Sequence, residues 1–333
     1  MNKIKNNNSK KNYYGTSRNQ SQSYLEFGSK NLKSSKKNIW DYKTDQDAYD
    51  LFMVARYSRE LIAYKDCLDL FKKKKLKNIK KIYEEDVHTK DFLNSLLTWS
   101  ALTLFKKQNL KTSFFEIGFT LFGCIESHEL CRAIVKKGPN INSINYSGTE
   151  ISKFISEMAL TLHSKYKVSY QLTNKKINYK GGVFFAKGVT LLYAVKKVNE
   201  LFKFIDNSNI AIFDYSFSLN GKDQHETLGT GKEVVYLDIK KIFPLIEKSK
   251  KTLLIRKSDL IINKKKNRVR CYFLWGKENL LKEYLIEANK NLLAAKKNAG
   301  SSLFNIMTNK YRIKPSDDYI NIRNMETLRN YSS

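Results

Sequence analysis

Ser113-Phe114-Phe115-Glu116-Ile117-Gly118-Phe119-Thr120-Leu121-Phe122-Gly123 is an apolar run closed by a glycine. Directly behind it, Leu121, Cys124, Ile125, His128, Cys131 and Val135 fall at the spacing of one helix face. A strand, a tight turn and an amphipathic helix therefore follow one another within about two dozen residues. The pattern repeats downstream. Ile144 to Glu150 reads as a second strand, followed by a helix with Ile151, Ile155, Met158, Ala159 and Leu162 on one side. Val168 to Leu172, Val183 to Ala186 and Ile210 to Phe217 read as the third, fourth and fifth strands. A long helix carrying Leu191, Val195, Val198, Phe202 and Ile205 precedes the fifth. Leu237 to Glu247 reads as a helix despite Pro244. Lys251 to Asn263 and Arg268 to Trp275, joined by the polar turn 264–267, read as a closing antiparallel hairpin. A charged helix near Glu278 to Lys297 comes next, and the last thirty or so residues read as loop or tail. Strands alternating with helices predict an α/β fold, a mostly parallel sheet covered on both faces.

Upstream of this core, which spans 109–300, residues 38–108 show helical periodicity and no strand pattern. Thr44 with Asp47 resembles a capping box, and Ala48, Leu51, Phe52 and Ala55 follow as an apolar stripe. A lysine-rich stretch, Lys72 to Lys81, separates this from a helix that Thr89 can cap, with Phe92, Leu93, Leu96, Leu97 and Leu104 inward. The region is expected to be an accessory layer or lid. Residues 1–37 carry nine basic residues against the single acid Glu26 and are read as a disordered tail; 301–333 form a C-terminal extension.

A hydrophobic fraction of 41% and an aromatic fraction of 13% are globular values. No apolar segment reaches the roughly 18 residues of a membrane span, and no apolar run follows the N-terminal lysines, so a cytoplasmic protein is expected. Cys67, Cys124, Cys131 and Cys271 are scattered and fit a reducing compartment. Cys124, His128 and Cys131 share a helix face, which makes them core positions and not metal ligands; no metal is expected. A net charge of +29 invites a nucleic-acid partner. Arginine supplies only 10 of the 61 basic residues, however, and arginine is the fork that reads phosphates and base edges best.

In an open α/β sheet, ligands sit beyond the carboxyl ends of the strands, so the loops there carry the chemistry. Gly118 permits a sharp turn and close backbone approach. Glu150, at the tip of the second strand, can accept hydrogen bonds from both hydroxyls of a ribose, and Ser152 can cap the next helix. A Glu-x-Gly turn with an acid at the next strand tip resembles the class I S-adenosylmethionine-dependent methyltransferases. Glu116-Ile117-Gly118 looks like the start of their first motif, Glu150 with Ile151-Ser152 like their ribose-binding acid, and Lys187-Gly188 after the fourth strand like their adenine-side loop. The resemblance spans roughly residues 109 to 276. It departs where Thr120 and Phe122 replace the family's second and third glycines, and where about 34 residues separate Glu116 from Glu150.

The resemblance implies a three-layer Rossmann-like fold, a seven-stranded sheet with an antiparallel last strand, and S-adenosyl-L-methionine as cofactor. Glu116, Gly118, Thr120, Glu150, Ile151, Ser152, Lys187 and Gly188 are then the cofactor-binding candidates. A dinucleotide is disfavoured, because a charged pyrophosphate needs the glycine-rich turn more than a phosphate-free nucleoside does. Gly229-Thr230-Gly231-Lys232 lacks the spacing of a phosphate-binding loop. Methyl transfer needs alignment of a nucleophile, with a base where that nucleophile carries a proton. Asp214, Tyr215 and His225 are the catalytic candidates; Tyr57 and Arg59 reach the site only if the N-terminal helices close over it. The expected acceptor is a small molecule, a sugar or a lipid-linked metabolite. The alternatives are a nucleic-acid-binding protein or RNA methyltransferase, a nicotinamide oxidoreductase, and a non-catalytic relative of the same fold.

Overall fold

The computed structural model describes residues 61–85, 89–119, 121–172, 179–187, 190–227, 233–311 and 314–322. The tail 1–37, the capping box at Thr44, Tyr57, Arg59, Thr120, Gly188 and the turn at Gly229 lie outside the described residues.

Strand β1 (Ser113–Ile117) is followed by helix α4 (Gly123–Val135), β2 (Asn145–Glu150), α5 (Lys153–Leu162) and β3 (Lys167–Leu172). The chain then returns to place β4 (Val183–Ala186) on the other side of β1, and β5 (Ile210–Ser218) beside β4. All pairings among these five strands are parallel. Beyond β5 lies β10 (Arg268–Gly276), antiparallel to it, then β8 (Thr252–Arg256) and β11 (Tyr319–Asn321). The order is β11-β8-β10-β5-β4-β1-β2-β3, with β9 (Ile261–Asn263) paired to the outer end of β10. The reversed strand next to β5 is the one the resemblance implied. The sheet has nine strands and not seven, because β9 and β11 extend it.

Two cores flank the sheet. On one face Phe114, Tyr146, Phe185, Ile212 and Leu274 pack under α3 (Thr89–Lys107), α4 and α9 (Glu278–Ala299). On the other, Phe115, Ile117, Phe184, Ala211 and Phe213 pack under α6 (Thr190–Ala194), α7 (Val198–Asp206) and a two-stranded hairpin, β6 (Gln224–Thr227) and β7 (Glu233–Tyr236). Period-two alternation along each strand sends neighbours to opposite layers.

Several expectations change. Helix α3 is no lid: Leu96, Leu97, Trp99, Leu102 and Phe105 are fully buried, each adding roughly 1.5–3 kcal/mol. Its other ties are long-range, Asn291 Nδ2 donating to Ser100 Oγ at 3.1 Å and Lys107 Nζ to Glu287 Oε2 at 2.5 Å. The lysine stretch is not a spacer, since α2 (Leu76–Glu85) runs through it after a first helix, α1, at 61–72. The long helix before β5 is two, because the Glu200 carboxylate accepts from the Lys196 and Lys197 amides and so starts α7 afresh. Pro244 sits in the first turn of α8 (Phe243–Ser249), where its missing N–H costs nothing, behind a 3-10 turn capped by Asp238. The β6–β7 hairpin is an addition to the expected elements, and the last stretch holds α10 (Ser301–Met307), α11 (Pro315–Asp318) and β11. Asp318 secures that end by accepting from Ser258 N, Ser258 Oγ and Tyr311 Oη. Among the described residues no helix is long and apolar enough to cross a membrane.

His128 is wholly buried in the first core. Thr98 Oγ1 donates to Ser95 O at 3.0 Å, so it accepts from His128 Nε2 at 2.8 Å; Nδ1 then accepts from Tyr146 Oη at 3.0 Å. Burial pulls its pKa from 6.5 down to about 3. The unfolded chain takes up this proton near pH 6.5 while the folded chain does not. Its stability contribution is therefore complete above pH 6.5 and is lost as the pH falls towards 3, at up to about 1.4 kcal/mol per pH unit. His128→Gln should be less stable at pH 7 but show a flatter fall between pH 6.5 and 4 in urea titrations. Parallel curves for the two proteins would refute this account.

Candidate functional site

The strand order reverses between β1 and β4, which opens the ligand crevice of an open α/β sheet at their carboxyl ends. Ile117 is aligned with Thr149 on one side and with Ala186 and then Phe213 on the other. The next residue along each chain segment is Gly118, Glu150, Lys187 and Asp214, so these four share one row on one face, just past the ends of β1 and β4, at the end of β2 and midway along β5. The row continues with Tyr272, opposite Asp214, and with Arg256, which pairs with Tyr319. Four sites expected from the sequence, in four separate segments, thus converge.

The turn after β1 is held tightly. Gly118 N and Phe119 N both donate to Thr149 O, at 2.8 and 3.3 Å. Gly118 has φ +64°, and a Cβ there would stand 2.8 Å from Thr190 Cγ2. Only glycine meets both demands. At Gly148, a Cβ would lie 2.5 Å from Glu116 O and 2.6 Å from the Phe119 ring. At Phe122, one of the two positions where the resemblance implies a further glycine, this chain has aromatic packing. Phe122 takes the left-handed conformation, φ +53°, at the entrance to α4. Its ring stacks on Phe119 at a centroid distance of 3.8 Å, and both are buried.

Polar groups surround this turn. Glu116 is buried on β1 and accepts a hydrogen bond from the Cys124 thiol, whose pKa burial and then the Glu116 carboxylate push well up, while Lys187 acts in the opposite sense. Glu150 is buried and its Oε1 accepts from Ile151 N at 2.8 Å. Ile151 itself is 47% exposed at the rim, and Ser152 caps α5 by accepting from Ile155 N at 3.1 Å. Thr149 Oγ1 is buried with no hydrogen-bond partner. At the start of α4, Glu126 accepts from His163 Nε2 at 3.0 Å and lies 3.8 Å from Lys65 Nζ.

Of the three catalytic candidates, only Asp214 joins the row. Arg270 grips it, Nε reaching Oδ1 at 3.1 Å and Nη2 reaching Oδ2 at 2.5 Å. Burial raises the Asp214 pKa above its ordinary value, against the lowering effect of Arg270. Tyr215 points to the opposite face, buried, and its hydroxyl donates to Val235 O at 2.9 Å. His225 lies on β6, more than half exposed, paired with Glu233 at 2.6 Å. The row also contains residues that the sequence pattern does not single out. Arg256 is buried; it binds Asp259 and, through Nη2, Asn94 Oδ1 at 3.1 Å, while its guanidinium lies 4.5 Å above the Tyr272 ring. Asn94 Nδ2 donates to Tyr272 Oη at 2.9 Å and so ties α3 to the row. A signal is nevertheless present: in a chain poor in arginine, Arg256, Arg268 and Arg270 all fall in the closing hairpin.

No protein-family model and no curated protein matches the sequence. Among solved structures, the chain is similar to the N-terminal domain of EvdMO1 with SAH bound, at 14% identity and a TM-score of 0.35, over 54% of this chain and 80% of that one. A S-adenosylmethionine-dependent methyltransferase from Clostridium acetobutylicum aligns at 11% identity and a TM-score of 0.32, over 54% and 91%. The glycopeptide N-methyltransferase MtfA, complexed with S-adenosylmethionine, aligns at 7% identity and a TM-score of 0.27, over 51% and 84%.

The backbone at Phe122 yields a direct test. Phe122→Ala loses the stacked ring and should cost about 3–5 kcal/mol. Phe122→Gly loses the same ring but relieves the left-handed strain, and should be about 1 kcal/mol more stable than the alanine variant. The reverse order in chemical denaturation would show that the turn carries no strain.

Proposed function

We propose that the chain is an S-adenosylmethionine-dependent methyltransferase whose cofactor lies across the tips of β4, β1 and β2. The observation that carries this reading is the single row of Glu150, Gly118, Lys187 and Asp214 at the switch point of a sheet whose strand next to β5 is reversed.

The residues fit the demands of that molecule. Its ribose presents two hydroxyl donors, and the buried Glu150 carboxylate at the β2 tip is an acceptor of the matching kind. Its amino-acid end carries one positive and one negative group; Glu116 and Lys187, both within electrostatic reach of Cys124, supply the opposite signs. The cofactor supplies an activated methyl group on a sulfonium. The protein's own part is to orient the nucleophile, exclude water and receive a proton where the nucleophile is a hydroxyl or protonated amine. Asp214 is suited to proton acceptance, since it follows Lys187 in the row, its burial raises its proton affinity, and Arg270 fixes its carboxylate plane. The acceptor we favour is a small molecule, a sugar or a lipid-linked metabolite, in a cytoplasmic setting.

A second reading has its own observation. Phe122, stacked on Phe119, stands at one of the two positions where the family has further glycines, which favours a relative that keeps the fold without turnover. Calorimetry with S-adenosylhomocysteine separates the two. Binding in the micromolar range is expected, weakened at least tenfold in Glu150→Ala through loss of charge-assisted hydrogen bonds. Absence of heat for the native chain would leave only the non-catalytic reading. With labelled cofactor and nuclease-treated cell extract, Asp214→Asn should lower transfer by about 10²–10⁴ while leaving S-adenosylhomocysteine affinity unchanged. Because burial raises the pKa of Asp214, the rate should fall on acidification at a pH above the ordinary carboxylate range. Arg270→Gln, by removing the neighbouring cation, should move that fall to still higher pH.

A further inference from the structure

We propose that the turn between α1 and α2 is a docking surface for the phosphate backbone of a nucleic acid. Lys72, Lys73, Lys74, Lys75, Lys77, Lys80 and Lys81 are all exposed there, and no acid lies between Asp69 and Glu84. Among the described residues, Lys72, Lys73, Lys74, Lys75, Lys77 and Lys81 make no ion pair. Crowded like charges repel and weaken the free protein, and a polyanion reverses the sign of that interaction.

The cluster stands on a folded platform. Lys73 N, Lys74 N and Lys75 N close the end of α1 by donating to Asp69 O, Phe71 O and Leu70 O, with Lys74 in the left-handed conformation at φ +57°. Beneath it, Ile79 and Tyr83 are buried, and the Tyr83 ring meets those of Tyr64 and Phe92 at 6.5 and 6.1 Å. The lysines are therefore held together in space.

The chemistry narrows the partner. A membrane-surface helix needs exposed apolar side chains beside its cations, yet no large hydrophobic residue of α2 is exposed. Protein interfaces are depleted in lysine. Lysine is a mobile point charge without the fork that reads base edges, so the match is a phosphate backbone, independent of base sequence. Lys65, which faces Glu126 at the start of α4, lies about 10 Å along α1 from Lys72. A strand bound at the turn would pass near the crevice, whether or not it is the methyl acceptor.

The test is fluorescence anisotropy of the full chain with a labelled 20-nucleotide single-stranded RNA between 50 and 300 mM KCl. The variant K73E/K74E/K75E/K77E is compared with K248E/K264E/K265E/K290E, which makes the same change in net charge elsewhere. The first should weaken binding about 100-fold at 100 mM KCl and flatten the log–log salt slope by roughly 3, the second by less than tenfold. If the reversal variant does not fold, K73Q/K74Q/K75Q/K77Q replaces it with the same expected direction. Equal losses in the two variants, or an unchanged slope in the first, would overturn the proposal. So would phosphatidylserine vesicles competing the RNA away at equal phosphate concentration.

Discussion

The architecture of the crevice rests on one carbonyl. Thr149 O accepts from both Gly118 N and Phe119 N, which clamps the end of β1 against the end of β2. A parallel pair has no hairpin to set its register, so tip-to-tip alignment must come from contacts of this kind. With β1 and β2 locked, and β4 paired in step on the other side, three strands finish within one residue of one another while β5 runs on past Asp214 to Ser218. Gly148 lets the Phe119 ring lie flat against β2, and Gly118 lets the chain turn under Thr190. Two absent methyl groups decide where the carboxylates of Glu150 and Glu116 stand.

Polar burial along that row is consistent throughout. Asp214 is held by Arg270, and Arg256 by Asp259, Asn94 and the face of Tyr272. A buried charge lacking a partner costs several kcal/mol, and Asp214 and Arg256 each carry a counter-group. Two residues before Arg270 on the same strand, Arg268 is set 3.4 Å over the Tyr236 ring and bonded to Glu226. The carboxylate of Glu226, between Lys266 and Arg268, has its pKa drawn down to about 2. The closing hairpin thus supplies three arginines, and the two-residue period of β10 keeps Arg268 and Arg270 on one face.

The long parallel strands and their helices are legible in the sequence because each has a strong apolar period and a glycine or cap at its end. Glu116, Gly118, Glu150 and Lys187 are legible as loop-end positions. What is not legible has physical reasons. Strand β11 is three residues long and half-buried, and its place depends on Asp318 bonding Ser258, sixty positions away. The β6–β7 hairpin is mostly polar and carries no run long enough to signal a strand. Tyr215 follows Asp214 immediately, and a one-residue step along a strand moves a side chain to the other layer. Arg270 and Arg256 belong to the row only through pairings between strands, which a local period does not report.

The packing of α3 against α9 has a consequence for how the chain is made. Ser100 meets Asn291 and Lys107 meets Glu287, separations of 191 and 180 residues. At ribosomal rates of about 5–20 residues per second, the apolar face of α3 emerges roughly 10–40 s before the helix that covers it. During that interval Leu96, Leu97 and Phe105 offer an uncovered greasy ridge to any passing holdase. Nascent-chain capture, more than equilibrium unfolding, is then the stage at which this molecule is most exposed to loss.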